Sequence, residues 1–292
     1  MVPPPDVSLA NPRADRVKQV RALSGRSARL RHGRFLVEGP QGVREAVRFT
    51  PDAVRDVYLT PATAERYDAI VTDARAAGLY VHVGTREVLE AMSLDAQGVL
   101  AVVDARPQTL TEALAALDEA GPGGRRHALL VAVLATVRDP GNAGTVIRAA
   151  DAAGADLVVL AGDSVDVHNP KVVRSTAGSL FHLPVVSGEP LPDVVDALRA
   201  RGLTVLAADG SGEHDLDDLL DVAGPGRDRA AGTPDLAAST AWVFGNEAWG
   251  LPDEDRDLAD AVVSVPIRGK AESLNLATAA TVCLYASSRA QR

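Results

Sequence analysis

Three segments of this chain gather the residue types that handle phosphate, hydroxyl and amide groups. They are Asp139-Pro-Gly-Asn142-Ala-Gly-Thr-Val-Ile-Arg148, Val243-Phe-Gly245-Asn-Glu247-Ala-Trp-Gly250-Leu-Pro252 and Val265-Pro-Ile267-Arg-Gly-Lys-Ala-Glu-Ser273-Leu274-Asn275-Leu-Ala-Thr-Ala. Asn142 can cap the helix that carries Arg148, and a helix N-terminus is already an anion site. The Arg148 guanidinium, with a pKa above roughly 12, is a permanent cation and cannot serve as a literal base. Glu247 follows the Gly245-Asn246 turn and can orient a cation or accept hydrogen bonds. Ser273 can cap the last helix with its hydroxyl still available, and Asn275 offers both a donor and an acceptor. Such a set suits gripping an anion and stabilising charge on an oxygen. It does not suit metal or thiol chemistry. The six histidines are scattered without ligand spacing, and Cys283 sits among Ala, Val and Leu as a core residue. Each candidate also has a plain structural reading: an Arg paired with Asp139 or Asp151, a solvated loop carboxylate, a helix cap, a glycine turn.

The elements that must position these residues alternate along the chain. A lead at 1–10 reads as disordered. Residues 11–105 then show strands at 34–38, 54–59, 80–83 and 98–103 between helices at 42–49, 61–77 and 85–92, a small α/β layered domain. A linker at 106–126 contains a short helix from Thr109 and the breaker Gly121-Pro-Gly-Gly124. The second domain, 127–292, opens with a buried strand and an Ala-rich helix that Gly154 stops. Asn169-Pro170 starts another helix, with Lys171 and Arg174 as candidate phosphate contacts. Strands at 203–208, 241–244 and 261–266 follow, and a last helix runs from Ser273 to about Ser288. Residues 221–239 lack apolar periodicity and read as a mobile inserted surface loop. Leu206-Ala-Ala-Asp-Gly210-Ser-Gly212 hints at a dinucleotide loop but lacks the third glycine and the helix that such a loop needs.

With 46% hydrophobic but only 3% aromatic residues, Val, Leu and Ala must build the core. The net charge of −9 is unevenly spread: residues 11–48 carry +7 and the remainder −16. A basic arm on an acidic body suits local docking to RNA with little generic affinity for nucleic acid. A single cysteine excludes an internal disulfide framework. The longest apolar stretch, 128–135, falls far short of the roughly 20 residues a bilayer requires. The first residues lack the basic start and apolar run of a signal peptide. The expectation is a cytoplasmic protein without a membrane partner.

Taken in this order and spacing, the three segments resemble the SpoU/TrmH (SPOUT-class) family of RNA ribose 2'-O-methyltransferases, over roughly residues 128–288. The resemblance implies methyl transfer from S-adenosylmethionine to a ribose hydroxyl, without a metal. It implies a parallel-sheet catalytic domain with a deep trefoil knot, and a homodimer in which one subunit completes the other's site. It places Gly245, Val265, Ile267 and Leu274 around the cofactor, and makes Arg148 the main catalytic residue, with Asn142, Glu247, Ser273 and Asn275 beside it. Arg34-Phe-Leu-Val-Glu-Gly-Pro-Gln-Gly-Val-Arg-Glu-Ala looks like the start of the ribosomal-protein-like RNA-binding domain that precedes this catalytic domain in relatives. Ribosomal RNA is the expected substrate, with transfer RNA as the alternative. The rivals are a non-catalytic RNA-binding or ribosome-assembly protein on the same fold, and a nucleotide-cofactor enzyme unrelated to RNA.

Overall fold

The computed structural model describes residues 7–119 and 128–292. It divides into unit 1, Met1–Arg106 with His168–His182, and unit 2, Pro107–Val167 with Leu183–Arg292. Most of the expected lead and the Gly121-Pro-Gly-Gly124 breaker lie outside the described residues.

Unit 1 is built on a four-stranded sheet of β1 (Arg34–Glu38), β2 (Val54–Leu59), β3 (Tyr80–Val83) and β4 (Val99–Asp104), in the order β1-β4-β2-β3. β4 runs antiparallel to β1 and β2, and β3 runs parallel to β2. Alternation along the strands sends Phe35, Val37, Val57, Leu59 and Ala101 to one face, where Val43, Ala46 and Val47 of helix Pro40–Phe49 cover them. Leu36, Tyr58, Leu100 and Val102 face the other way, under Val17 and Val20 of Asp15–Ala22 and Val88, Leu89 and Met92 of Arg86–Met92. The helix expected at 61–77 is two, Pro61–Arg66 and Asp68–Ala76, because Tyr67 leaves helical geometry at φ −118°, ψ 45°. The end of the expected disordered lead is docked: the Ser8 and Leu9 amides donate to the Val83 carbonyl at 2.8 and 3.1 Å.

Within the stretch expected as one domain at 127–292, His168–His182 clusters with unit 1. Val173 joins the unit 1 core, and the His168 ring lies 4.4 Å from that of Phe35. Arg174 is equally committed. It forms ion pairs with the buried carboxylate of Glu38 and, at 3.0 Å, with Asp95, which removes it as a free phosphate contact. A carboxylate buried that deeply requires a cation partner, and the excursion supplies one.

Unit 2 holds seven parallel strands: β5 (Leu130–Ala135), β6 (Leu157–Ala161), β7 (Val185–Ser187), β8 (Thr204–Ala208), β9 (His214–Asp215), β10 (Thr240–Phe244) and β11 (Ala261–Ser264). Their order is β7-β6-β5-β10-β8-β11-β9. Every residue of β5, β6 and β10 is buried, as expected of a parallel sheet covered on both faces. Helices Leu110–Glu119 and Leu191–Arg199 pack on one face, and Pro140–Ala153 and Leu276–Ala290 pack on the other. Within that second layer the indole of Trp242 donates to the Ser287 hydroxyl at 2.9 Å. Burial pushes the Cys283 thiol up to about 12, which fits a core residue. The 221–239 loop is more ordered than its composition suggests. Leu236 is fully buried, and Asp235 accepts from the Gly224 amide at 3.0 Å and pairs with Arg229 at 2.9 Å.

Candidate active site

A cleft of about 350 Å³ opens at the carboxyl ends of β8, β10 and β11, where ligands of open parallel sheets usually bind. Ala208, Asp209 and Gly210 form one wall, and Gly245 to Ala248 form a second. Val265, Ile267, Glu272, Ser273, Leu274, Leu276 and Ala279 form a third, with Phe244 and Gly250 completing the lining. All four sequence-derived cofactor candidates, Gly245, Val265, Ile267 and Leu274, therefore line one space.

The Gly245 loop is set by its own backbone. Asn246 and Gly250 exchange two main-chain hydrogen bonds, at 2.8 and 2.9 Å. A Cβ on Gly245 would stand 2.3 Å from the Gly250 carbonyl carbon and 2.6 Å from the Leu251 amide nitrogen. Glycine is thus required here by the close approach of two chain segments, before any ligand is considered. The buried Asn246 side chain donates to the Thr136 carbonyl at 2.7 Å and accepts from the Ala248 amide at 2.9 Å. Thr136 itself holds a positive φ of 54°, a strained conformation for a β-branched residue.

Beyond this turn, the three segments are joined by side chains. Asn275 donates to the Asn142 side-chain carbonyl at 3.1 Å, and Asn142 donates to Glu247 at 3.2 Å. Glu247 also accepts from the Arg138 and Asp139 amides, at 3.3 and 3.1 Å. Its partners are therefore the start of the Pro140–Ala153 helix, not Arg148. Two caps also differ from expectation. Asp139, not Asn142, caps Pro140–Ala153 by accepting from the Asn142 amide at 2.8 Å. Asn275, not Ser273, caps Leu276–Ala290 by accepting from the Ala277 amide at 2.9 Å. Ser273 and Leu274 lie in the loop before the helix, exposed and half-buried. Arg148 is the one candidate outside this gathering. It is exposed and does not line the cleft, and its side chain makes no hydrogen bond or ion pair among the described residues. Asp209 and Gly210, in the turn that the sequence offers only as an incomplete dinucleotide loop, line the cleft as well. Their Asp-Gly-Ser-Gly turn, directly after β8, was the available signal.

No group of three or more His, Cys, Asp or Glu among the described residues could hold a metal ion. No described helix is long and apolar enough to cross a membrane.

Comparison with known proteins decides the family. Residues 129–285 match the SpoU rRNA Methylase family, and residues 14–101 match the MRM3-like substrate binding domain. The chain belongs to the SpoU rRNA methylase family. A 23S rRNA guanosine-2'-O-methyltransferase of Bacillus subtilis is 31% identical over 92% of this chain and 94% of its own length. A 23S rRNA uridine-2'-O-methyltransferase of Streptomyces viridochromogenes is 42% identical over 51% of this chain and 49% of its own. The solved SpoU methyltransferase AviRb from Streptomyces viridochromogenes, in complex with the cofactor AdoMet, aligns at 30% identity and TM-score 0.75. That alignment covers 94% of this chain and 98% of AviRb. In the terms of this SpoU family, the α/β fold and the substrate-binding domain before the catalytic one are both as expected.

The cleft fits the cofactor of that neighbour by its own chemistry. Val265, Ile267, Leu274 and Leu276 offer apolar walls for a flat heteroaromatic ring, while Asp209, Glu247 and Glu272 bring carboxylates to a cationic ligand.

Proposed function

We propose that this chain transfers a methyl group from S-adenosylmethionine to the 2'-hydroxyl of a ribose in ribosomal RNA. The observation that carries the reading is the hydrogen-bonded chain Asn275–Asn142–Glu247, whose Glu247 lines the cleft. The cofactor supplies an electrophilic methyl group; the protein must bring the ribose oxygen in line with it. Asn142 and Asn275, held in place by Glu247, are positioned to hydrogen-bond the ribose and fix its approach. Ser273, exposed on the loop before the cap, offers a hydroxyl to the same substrate. Charge that develops on the oxygen as its proton passes to solvent water needs a cation. Arg148 grips the neighbouring phosphate and stabilises that charge electrostatically, since a guanidinium does not give up its proton.

In this reading Arg148 serves the cleft of a second copy. Its exposure away from its own cleft supports that arrangement. So does the outward face of Leu276–Ala290, where Val282 and Tyr285 are 40% and 47% exposed. The homodimer would cover this face. We further read the β11-to-helix segment as passing through a trefoil knot. Insertion of β10 between β5 and β8 supports this, as does the tie from Asn246 to Thr136. Unit 1 would dock the RNA through exposed Arg13, Arg21, Arg26 and Arg31. The domain division we propose keeps the basic stretch as substrate-binding and the cleft as catalytic.

The test is tritium transfer from labelled S-adenosylmethionine to ribosomal and, separately, transfer RNA. A 2'-O-methyl group blocks alkaline cleavage, so the label should emerge from ribosomal RNA in alkali-resistant dinucleotides. Label confined to mononucleotides, or no transfer, would contradict the proposal. Label from transfer RNA alone would move the substrate.

A further inference from the structure

The loop that carries Glu247 also presents Trp249, and no step described so far uses it. This chain has two tryptophans. Trp242 is fully buried, whereas Trp249 is 52% exposed. The Arg138 guanidinium stacks on the Trp249 ring, 5.5 Å from its centroid. Arg138 is itself exposed and has no ion pair among the described residues. The other cation–π pair among the described residues, Arg66 on Tyr67, has an evident structural use, because Tyr67 packs against the unit 1 core. Trp249 joins none of the core clusters of the described residues. An indole half exposed gives up about half of the stabilisation its burial would provide.

Its support is hydrogen-bonded. The Asn246–Gly250 hydrogen bonds close the loop beneath it, and Asn246 ties the loop to Thr136. Glu247 accepts from the Arg138 amide at 3.3 Å, so the backbone that carries the guanidinium is tied to the Asn275–Asn142–Glu247 chain. A flat aromatic face with a cation on it, anchored to the groups that would meet the ribose, matches one ligand chemistry well. Unpaired nucleobases stack on indole and guanidinium planes, and the cation also attracts the RNA backbone.

We infer that Trp249 and Arg138 form a stacking platform for an unpaired base next to the methylated ribose. The inference rests on the proposed methyl transfer and adds a base-binding subsite to it. Stacking there would select unpaired nucleotides and set the angle at which the ribose enters.

The full-length protein has a readout independent of activity. Because Trp242 is buried, acrylamide quenching of tryptophan fluorescence reports mainly on Trp249. A 23S rRNA transcript should protect this fluorescence, and Trp249→Phe should abolish the protected signal. In kinetics, Trp249→Ala should raise KM for the RNA roughly tenfold or more, with kcat nearly kept. Trp249→Phe should restore most of the loss, and Arg138→Gln should show a smaller rise. S-adenosylmethionine affinity should not change in any of them. A loop-propping role for Trp249 would instead weaken cofactor binding, since Glu247, Ala248 and Gly250 line the cleft. Unchanged quenching on adding RNA, or an unchanged KM in Trp249→Ala, overturns the platform. So does protection that tracks dimer formation without RNA, which would make this face a subunit contact. If the parent transfers methyl and Trp249→Ala is unaffected, the platform fails while the methyltransferase reading stands. If the parent transfers none, that reading fails and the quenching experiment still decides the platform.

Discussion

In unit 1 the basic stretch leaves Arg13, Arg21, Arg26 and Arg31 exposed and without ion pairs among the described residues, while Arg29 is buried against the Leu23 and Ser24 carbonyls. In unit 2 Asn142, Glu247 and Asn275 beside the cleft are bonded to one another, and the Arg148 cation stands apart from them. The difference separates two kinds of recognition. Loose surface cations meet phosphate through long-range attraction, which salt weakens and which carries little geometry. An interlocked amide–carboxylate chain has its geometry fixed before substrate arrives, as transfer in line with a leaving group demands. The acidic remainder of the chain keeps the first kind local.

The contrast breaks most visibly at Arg148. Arg148→Ala should lower turnover by about 10²–10³-fold with cofactor affinity nearly intact, measured by kinetics and calorimetry. Arg148→Lys should recover only part of this, lacking the planar fork that grips phosphate. An equal loss in both variants and in cofactor affinity would place Arg148 in the cofactor site instead. Next in size is Gly245→Ala. Its Cβ meets backbone that cannot give way, so it should destabilise unit 2 by about 1–3 kcal/mol in denaturant titrations.

Replacing Arg21, Arg26 and Arg31 together by Ala should raise KM for RNA and leave kcat alone. The slope of log affinity against log salt should fall by about 2 to 3. An unchanged slope would mean that these cations face solvent only. The smallest effect concerns Asp56. The hydrogen bond from His82, at 2.7 Å, holds its carboxyl below the usual range against the opposing effect of burial. A carboxyl lowered on folding contributes stability that is fully present above its unfolded value, near pH ~4, and is lost as pH falls through the lower folded value. His82→Phe should weaken this acid-side dependence in thermal melts, with Arg16 keeping part of it, at a cost under about 1 kcal/mol near neutrality.

Much of this was legible in the sequence, and the exceptions share a cause. Long strands with strong alternation or full burial, such as β1, β2 and β5, come out within a residue or two of their observed ends. The three motifs announce the cleft because a glycine turn and two polar loops each follow a buried strand. β7 and β9 escape because three and two residues carry no period. Caps were misplaced by a few residues, at Asp139 and Asn275, because several adjacent residues could each cap and only the loop geometry chooses among them. The affiliation of His168–His182 with unit 1 could not be read at all. It depends on Glu38 being buried and on Arg174, 136 residues away, arriving to pair with it. The inserted loop looked mobile because composition does not reveal that Asp235 and Arg229 fasten it.

The central claim is that the motif cleft performs the transfer with an arginine from another copy. It is tested most directly by complementation in a verified mixed dimer. Arg148→Ala keeps an open cleft but lacks the cation. Ala279→Phe keeps the cation but fills the cleft from a wall position that leaves the Gly245 turn untouched. Each homodimer should be inactive. The mixed dimer should regain methyl transfer at one of its two sites, the open cleft served by the intact Arg148 of the other copy. A mixed dimer as inactive as its parents would contradict the account, and would mean that each site is completed within a single chain.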